Sequence, residues 1–313
     1  MFDLSVIIVT RNTCALTCAA IESVRDSRDD LRKEIFLVDN GSTDDTPAEV
    51  AKRFPSVHYL RAEGNLGFAK ANNWGAREAA GEFLLLLNSD AAVKADSLAA
   101  AVGWMRQHPD CGVAGVQLLN PDGSRQNSIA NFPTLATELL NKSLLWRLFP
   151  ARYPGKERPF TEPVAVESVV GAFMLIRREA WTAVGGLDER YFFFLEETDF
   201  CLQARRLGWR VMHLPQITVW HGQGQTVKQV SAAARIEYWR SRYLYFAKNH
   251  GPAVRATLAA GLVVRLLVDW LASGVMKLLT FGKNHRWAGK WNVYSALMLW
   301  HLRRRPVAMG LKR

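Results

Sequence analysis

Four short segments of this 313-residue sequence set acids or a histidine where chemistry could use them. Asp39 closes the apolar run Phe36-Leu37-Val38 and opens Asp39-Asn40-Gly41-Ser42-Thr43-Asp44, a polar loop leading into a helix. A capped turn accounts for Gly41 and the hydroxyls. It does not call for an acid at the last strand position, where a carboxylate can accept the imide N–H of a uracil or thymine ring. Asn88-Ser89-Asp90 follows Phe83-Leu84-Leu85-Leu86-Leu87, a run apolar enough for a central strand buried on both faces. An acid emerging there is placed to bind a divalent cation bridging two phosphates, since hard cations prefer oxygen ligands.

Phe192-Phe193-Phe194-Leu195-Glu196-Glu197-Thr198-Asp199 sets three carboxylates behind an aromatic run, at the start of a helix. Acids in a first turn suit the helix dipole, but three are more than capping needs. A carboxylate in so apolar a setting has its pKa raised and can act as general base. His221 comes just after a strand, and although a lone histidine is more often a packing residue, its place ahead of Gly222-Gln223-Gly224 weakens that reading. No G-x-G-x-x-G and no P-loop occurs, so the dinucleotide and nucleoside triphosphate fingerprints are absent.

The elements that must position these residues are legible as a βαβ pattern and an open, mostly parallel sheet. Strands are expected at Leu4–Thr10, Glu34–Asp39, Val57–Arg61, Glu82–Leu87 and Gly112–Gln117. Helices are expected at Cys14–Arg28, Asp45–Phe54, Gly67–Ala79 and Ala95–Gln107. Such sheets bind ligands at the carboxyl ends of their strands. Asn120 to Pro163 reads as irregular, with six prolines and a turn at Pro121-Asp122-Gly123. Val164–Arg178 reads as strand, Thr198–Leu207 as a helix and Trp209–Leu214 as another strand. After Val230 the chain turns helical and basic, so we expect two units, 1–228 and 229–313.

The formal net charge is +11, and residues 253–313 carry eleven Lys or Arg against the single acid Asp269, a balance of +10. The rest of the chain is nearly neutral, and such asymmetry points to an anionic surface met by the carboxyl end. Within Leu258–Phe281 the polar residues Arg265, Asp269, Ser273 and Lys277 form one stripe on an apolar helix, which fits a surface-lying or protein-covered helix better than a span. The amino terminus shows no secretory signal, and Cys14, Cys18, Cys111 and Cys201 make no metal pattern. A reduced, cytosolic protein is expected.

Taken together, these segments resemble family 2 of the inverting glycosyltransferases, and within it the bacterial rhamnosyltransferase-like members. The matching residues are Val6-Ile7-Ile8-Val9-Thr10-Arg11-Asn12, Val38 to Asp44, Asn65-Leu66-Gly67-Phe68-Ala69 with Asn72-Asn73, Leu87 to Asp90, Gly171-Ala172-Phe173-Met174, Glu196 to Asp199, and His221. The resemblance covers roughly residues 3–225. It implies the type A glycosyltransferase fold, a nucleotide-sugar donor (dTDP-rhamnose first, UDP-sugars next), and Mg²⁺ or Mn²⁺. The acceptor it implies is a glycan or lipid-linked hydroxyl in cell-surface polysaccharide synthesis.

By the same resemblance Thr10, Arg11, Asn12 and Asp39 hold the nucleoside, and Asn65, Gly67, Asn88 and Asp90 line the donor pocket. Asp90 and His221 bind metal, Gly171 and Ala172 face the acceptor, and Glu197 is the base, with Glu196 and Asp199 as its competitors. Two departures are specific to this chain. Asn88-Ser89-Asp90 stands where the family has Asp-x-Asp, and Glu196-Glu197 where it has Glu-Asp. One anionic ligand is therefore missing, and metal should bind better with donor present.

Other readings compete. A nucleotidyltransferase needs a glycine-rich basic loop after the first strand, where this chain has Thr10-Arg11-Asn12-Thr13. A non-catalytic membrane scaffold draws on the basic carboxyl end alone. Nucleic-acid binding has no reading motif to support it, so the expected partners are donor, acceptor and the cytoplasmic face of an anionic membrane, without nucleic acid.

Overall fold

In a computed structural model the chain is described over residues 2–150, 152–153, 160–222 and 231–313. The first alternation of apolar runs and amphipathic segments gives β1 (Leu4–Thr10), α1 (Cys14–Arg25), β2 (Lys33–Asp39), α2 (Thr46–Arg53), β3 (His58–Arg61), α3 (Phe68–Glu78) and β4 (Phe83–Asn88). Next come β5 (Ala91–Val93), α4 (Ser97–Gln107), β6 (Cys111–Leu119) and β7 (Ile129–Ala130). The proline-containing stretch holds two helices that its composition hid, α5 (Leu135–Leu139) and α6 (Lys142–Leu148). Their starts are capped by Thr134, which shares a capping box with Thr137, and by the Asn141 side chain.

The single strand expected over Val164–Arg178 is instead three short ones, β8 (Val164–Ala165), β9 (Ser168–Val169) and β10 (Phe173–Arg177). They pair with three different partners, so a continuous apolar stretch cannot be one straight strand. After α7 (Arg178–Val184), α8 (Glu196–Arg206) starts two residues earlier than expected. The strand expected over Trp209–Leu214 runs on as β11 (Arg210–His221), with a register irregularity between Leu214 and Thr218. The described chain closes with α9 (Ser231–Asn249), α10 (Pro252–Leu279), α11 (His285–Leu302) and a short 3₁₀ turn, Val307–Met309. The boundary expected between 228 and 229, like Gln223 and Gly224, lies outside the described residues.

The sheet runs β3-β2-β1-β4-β10-β6-β11-β5, with β8 also on β11. β1 to β4 are mutually parallel where they pair, while β10 enters antiparallel between β4 and β6. β4 thus sits centrally and buried on both faces: Phe83, Leu85 and Leu87 join one core cluster, Leu84 and Leu86 the other. Period-two alternation along a strand produces this split.

A third cluster joins distant parts of the chain. Ile236, Trp239, Tyr245 and Phe246 of α9, Leu258, Leu262 and Leu266 of α10, and Leu297 and Trp300 of α11 pack with Tyr191. Leu135, Leu139, Leu195 and Leu202 lie against them. On the other flank of α10, Val264, Val268, Leu271, Val275, Leu278 and Leu279 are exposed.

Candidate active site

At the carboxyl ends of β1 and β2, two loops lock each other. Asn12 takes a left-handed backbone, its N–H donates to Ser42 Oγ, and its Oδ1 accepts from Thr43 N at 2.7 Å. The buried Thr10 hydroxyl lies 2.7 Å from that of Thr17 and 3.0 Å from that of Thr13. Asp39 is fully buried: Oδ1 accepts from Ser42 N at 2.7 Å and Oδ2 from the Tyr59 hydroxyl at 2.5 Å. Burial and the neighbouring Asp39 carboxylate push the Tyr59 phenol up, so it stays a donor. A carboxylate with about four lone-pair sites keeps capacity for a further donor after these two bonds.

Asn65 makes a local turn, its Oδ1 accepting from Gly67 N, while its Nδ2 donates to the Lys312 carbonyl at 2.8 Å. Arg11 Nη1 reaches the same carbonyl at 3.4 Å. Gly67 has φ of +81°, and a Cβ there would fall 2.4 Å from Phe192 O. Its glycine is therefore required by the close approach of the aromatic run, fixed by Phe68 N donating to Phe192 O at 2.8 Å.

Asp90 and His221, 131 residues apart, meet through β5, a strand too short to be read from sequence. β5 pairs antiparallel with the end of β11, setting His221 opposite Ala91, and Gly222 N donates to Asp90 O at 2.7 Å. His221 Nε2 lies 3.3 Å from Asp90 Oδ1 and 3.5 Å from Asn88 Nδ2, while Nδ1 lies 2.9 Å from Gln126 Oε1. Among the described residues no group of three or more His, Cys, Asp or Glu comes together to hold a metal. A carboxylate oxygen and an imidazole nitrogen at this spacing nonetheless fit two adjacent positions on one octahedral cation, which sit about 3 Å apart for ligand distances near 2.1 Å. The other positions are left for phosphate oxygens and water.

The three acids separate. Phe194 and Leu195 both adopt positive φ, +74° and +68°, a conformation costing β-carbon-bearing residues about 1–2 kcal/mol each. The turn swings the chain into α8 and presents Glu196 and Glu197 at its mouth. Glu196 is buried with Oε2 unpartnered, and burial, then the adjacent Glu197, raises its pKa well above the ordinary value. Glu197 is half-buried; burial raises its pKa, partly opposed by hydrogen bonds from the backbone of the first helical turn.

A Cβ placed on Gly171 would touch Glu197 Cβ and Cγ at 3.7 Å and Phe68 Cζ at 3.6 Å. The following residue, Ala172, has its side chain in the core and its carbonyl bonded by Asn88 N at 3.1 Å. Close approaches thus link Asp90 to His221, Asn88 and Ala172, and the place a Cβ on the neighbouring Gly171 would take faces Glu197. Asp199 leaves this group. It does not partner helix-start N–H groups as its position suggested; it accepts from Lys248 Nζ at 2.6 Å and Asn249 Nδ2 at 2.9 Å, fastening α8 to the end of α9.

Three residues around the site were not read from sequence. Tyr59 sits on an edge strand whose alternation gives no sign of a hydroxyl directed at Asp39. Gln126 follows the Pro121-Asp122-Gly123 turn on a segment that folds back beside β6, and a glutamine just past such a turn is the available signal. Ser241 of α9 donates to Phe193 O at 2.9 Å, a contact across 48 residues with no local signature.

Residues 5–184 match Glycosyl transferase family 2. An N-acetylglucosaminyl-diphospho-decaprenol L-rhamnosyltransferase of Mycobacterium tuberculosis is 30% identical over 240 residues, 72% of this chain and 78% of the relative. Rhamnosyltransferase WbbL of Escherichia coli is 23% identical over 210 residues, 64% of this chain and 77% of its own. Among solved structures, the mannosyltransferase PcManGT from Pyrobaculum calidifontis, in complex with GDP-Man and Mn²⁺, superposes with a TM-score of 0.58. That superposition covers 98% of this chain and 90% of the other at 20% identity, a likeness of fold. The chain belongs to glycosyl transferase family 2: it is a glycosyltransferase of type A fold, with a helical region after its mostly parallel sheet.

Proposed function

We propose that this family 2 enzyme transfers a sugar, with inversion, from a nucleoside diphosphate donor to a hydroxyl of a glycan or lipid-linked acceptor, with Glu197 as the base. The observation that carries this reading is that Glu197 faces the space left by the missing Cβ of Gly171, one residue before the carbonyl that bonds Asn88 at the end of β4. The L-rhamnosyltransferase relative, named for a diphospho-decaprenol substrate, supports a rhamnosyl donor, dTDP-rhamnose first, and a polyprenyl-linked acceptor. Cell-surface glycan synthesis is the corresponding role.

The nucleobase end is proposed to rest on Asp39 and the β1 loop of Thr10, Arg11 and Asn12, with Asn65 and Gly67 beside it. Asp90 and His221 suit a divalent cation, and an imidazole in the set favours Mn²⁺ over Mg²⁺. Such a cation, when bound, supplies Lewis-acid stabilisation to the leaving diphosphate. Glu197 takes the proton of the acceptor hydroxyl as that oxygen bonds to the anomeric carbon and the carbon–oxygen bond to the diphosphate breaks. Burial makes this carboxylate a better base than an exposed glutamate. Gly171 leaves room against Glu197 for an acceptor, and Ala172 contributes through its backbone.

Peripheral attachment to the cytoplasmic face of an anionic membrane completes the proposal. Part of the polar stripe on α10 meets its neighbours: Ser273 is buried, and Arg265, itself exposed, donates to Glu138 O at 3.1 Å. The opposite flank exposes its aliphatic residues, and Lys283, Arg286 and Lys290 follow in sequence. α10 is long and apolar enough to cross a bilayer, but its packing in the third cluster favours lying on one. Dividing the chain into 1–228 and 229–313 remains our proposal, with Tyr191 as a shared core residue.

Release of nucleoside diphosphate from a panel of nucleotide sugars, with polyprenyl-diphosphate sugars as acceptors, tests the reaction. No turnover of any donor by the wild-type chain would overturn it. Vesicle sedimentation of Val268→Asp and Val275→Asp tests attachment without opening the third cluster; pelleting with anionic vesicles as well as wild type would overturn that part.

A further inference from the structure

Gln126 is buried, and its side-chain amide is oriented by what surrounds it. Its nitrogen has three oxygens in reach: His221 O at 2.6 Å, Asn120 Oδ1 at 2.8 Å and Leu119 O at 3.4 Å. Two are backbone carbonyls, which only accept. Turning the amide over would set its oxygen against all three, so Nε2 faces them and Oε1 faces His221 Nδ1 at 2.9 Å.

The third acceptor is fixed by a chain of bonds reaching the surface. Asp122, a carboxylate, accepts from the Ser124 hydroxyl at 2.6 Å; that oxygen accepts from Asn120 Nδ2 at 2.8 Å, which leaves Asn120 Oδ1 for Gln126. Every donor in this chain points away from the His221 ring. Gln126 Oε1 can only accept, so His221 Nδ1 must carry a hydrogen. In the neutral ring Nε2 then holds a lone pair, 3.3 Å from the acceptor oxygen of Asp90. Two lone pairs facing one another at that distance suit a cation between them.

We propose that Gln126 is a positioning residue of the cation site: it holds His221 in the Nδ1–H tautomer and aims Nε2 at the space beside Asp90. This rests on the reading of Asp90 and His221 as metal ligands, and it adds a residue outside that pair. Partners that orient a ligating histidine commonly change metal affinity by about 10–100-fold when removed.

The first test is the ring nitrogen spectrum of the wild-type chain labelled with ¹⁵N-histidine at pH 8, with His221→Asn used to assign the signal. A protonated Nδ1 and an unprotonated Nε2 are expected; a proton on Nε2 overturns the proposal without any variant having to fold. The second is Mn²⁺ titration followed by electron paramagnetic resonance, with dTDP or UDP present. Gln126→Met, which cannot accept from Nδ1, is expected to mix the tautomers and weaken Mn²⁺ by about 10–100-fold. Unchanged Mn²⁺ affinity in a Gln126→Met chain that melts like wild type overturns the proposal. His221→Ala separates the two levels: wild-type Mn²⁺ affinity there removes the ligand reading itself, whatever the tautomer spectrum shows.

Discussion

The proposed nucleotide end and the proposed base end of this site are built differently. At the proposed nucleotide end, Asn12, Ser42, Thr43, Asp39 and Tyr59 satisfy one another, and Arg11 and Asn65 beside them reach the Lys312 carbonyl. At the base end, two consecutive residues sit at positive φ and Glu196 is buried with an unpartnered oxygen. The bracing there comes from α9, through Ser241 on Phe193 O and the edge-on contact of Phe194 with Tyr238. A satisfied network suits binding. A strained turn held by its surroundings suits presentation of a group whose ionisation matters, since strain persists where surroundings over-determine it.

The largest effect that could break this contrast is at Glu197. Glu197→Gln should lower turnover by about 10²–10⁴-fold while leaving donor affinity near wild type. Near-normal turnover removes Glu197 as the base. Because its pKa is raised, the acid limb of kcat/KM in the wild type should lie above the ordinary glutamate range, with activity rising as Glu197 ionises. Glu196→Gln should do far less to turnover, since burial favours the uncharged form of Glu196 and glutamine resembles that form. A raised folded pKa favours the folded chain at low pH and disfavours it as pH rises through that value. Glu196→Gln should therefore raise Tm at pH 8 and leave it nearly unchanged at pH 4.

Gly67 is where the two ends touch. Gly67→Ala sets a Cβ against Phe192 O at an already positive φ and should cost at least about 1–3 kcal/mol, read by thermal or urea melts. A neutral result would mean that the aromatic run is not pinned to the donor loop.

Tyr59→Phe removes one bond to a buried carboxylate and should weaken nucleoside diphosphate binding roughly 5–10-fold, with kcat little changed. The smallest effect belongs to the remote brace. Ser241→Ala should lower kcat by roughly 2–10-fold with donor affinity unchanged. Should Tyr59→Phe act on kcat, or Ser241→Ala on donor affinity, the division between the ends fails.

What could be read beforehand follows the same division. β1, β2 and β4 announce themselves by apolar runs that end in polar loops, because strands buried on both faces leave only their ends for chemistry. Asp39 and Asp90 stand out that way, and the acids at 196–199 by the phenylalanine run before them. β5 escaped because three residues carry no periodicity, although it is what brings Asp90 to His221. The turn at Phe194-Leu195 escaped because neither residue type favours a left-handed backbone; only its surroundings impose it. α5 and α6 were masked by prolines, yet Thr134 and Asn141 are ordinary cap residues ahead of them.

The third cluster bears on how the chain is made. Tyr191 and Leu195 pack against a core that needs Leu297 and Trp300 of α11. At roughly 5–20 residues per second of synthesis, that helix emerges several seconds or more after the turn it helps to seat. During that interval the loops that follow β1 and β3 still lack Lys312, whose carbonyl Arg11 and Asn65 reach, and the apolar side of the turn before Glu197 lies open. Both ends of the proposed site are thus completed only when the last residues have been made, an order imposed by contacts that must wait.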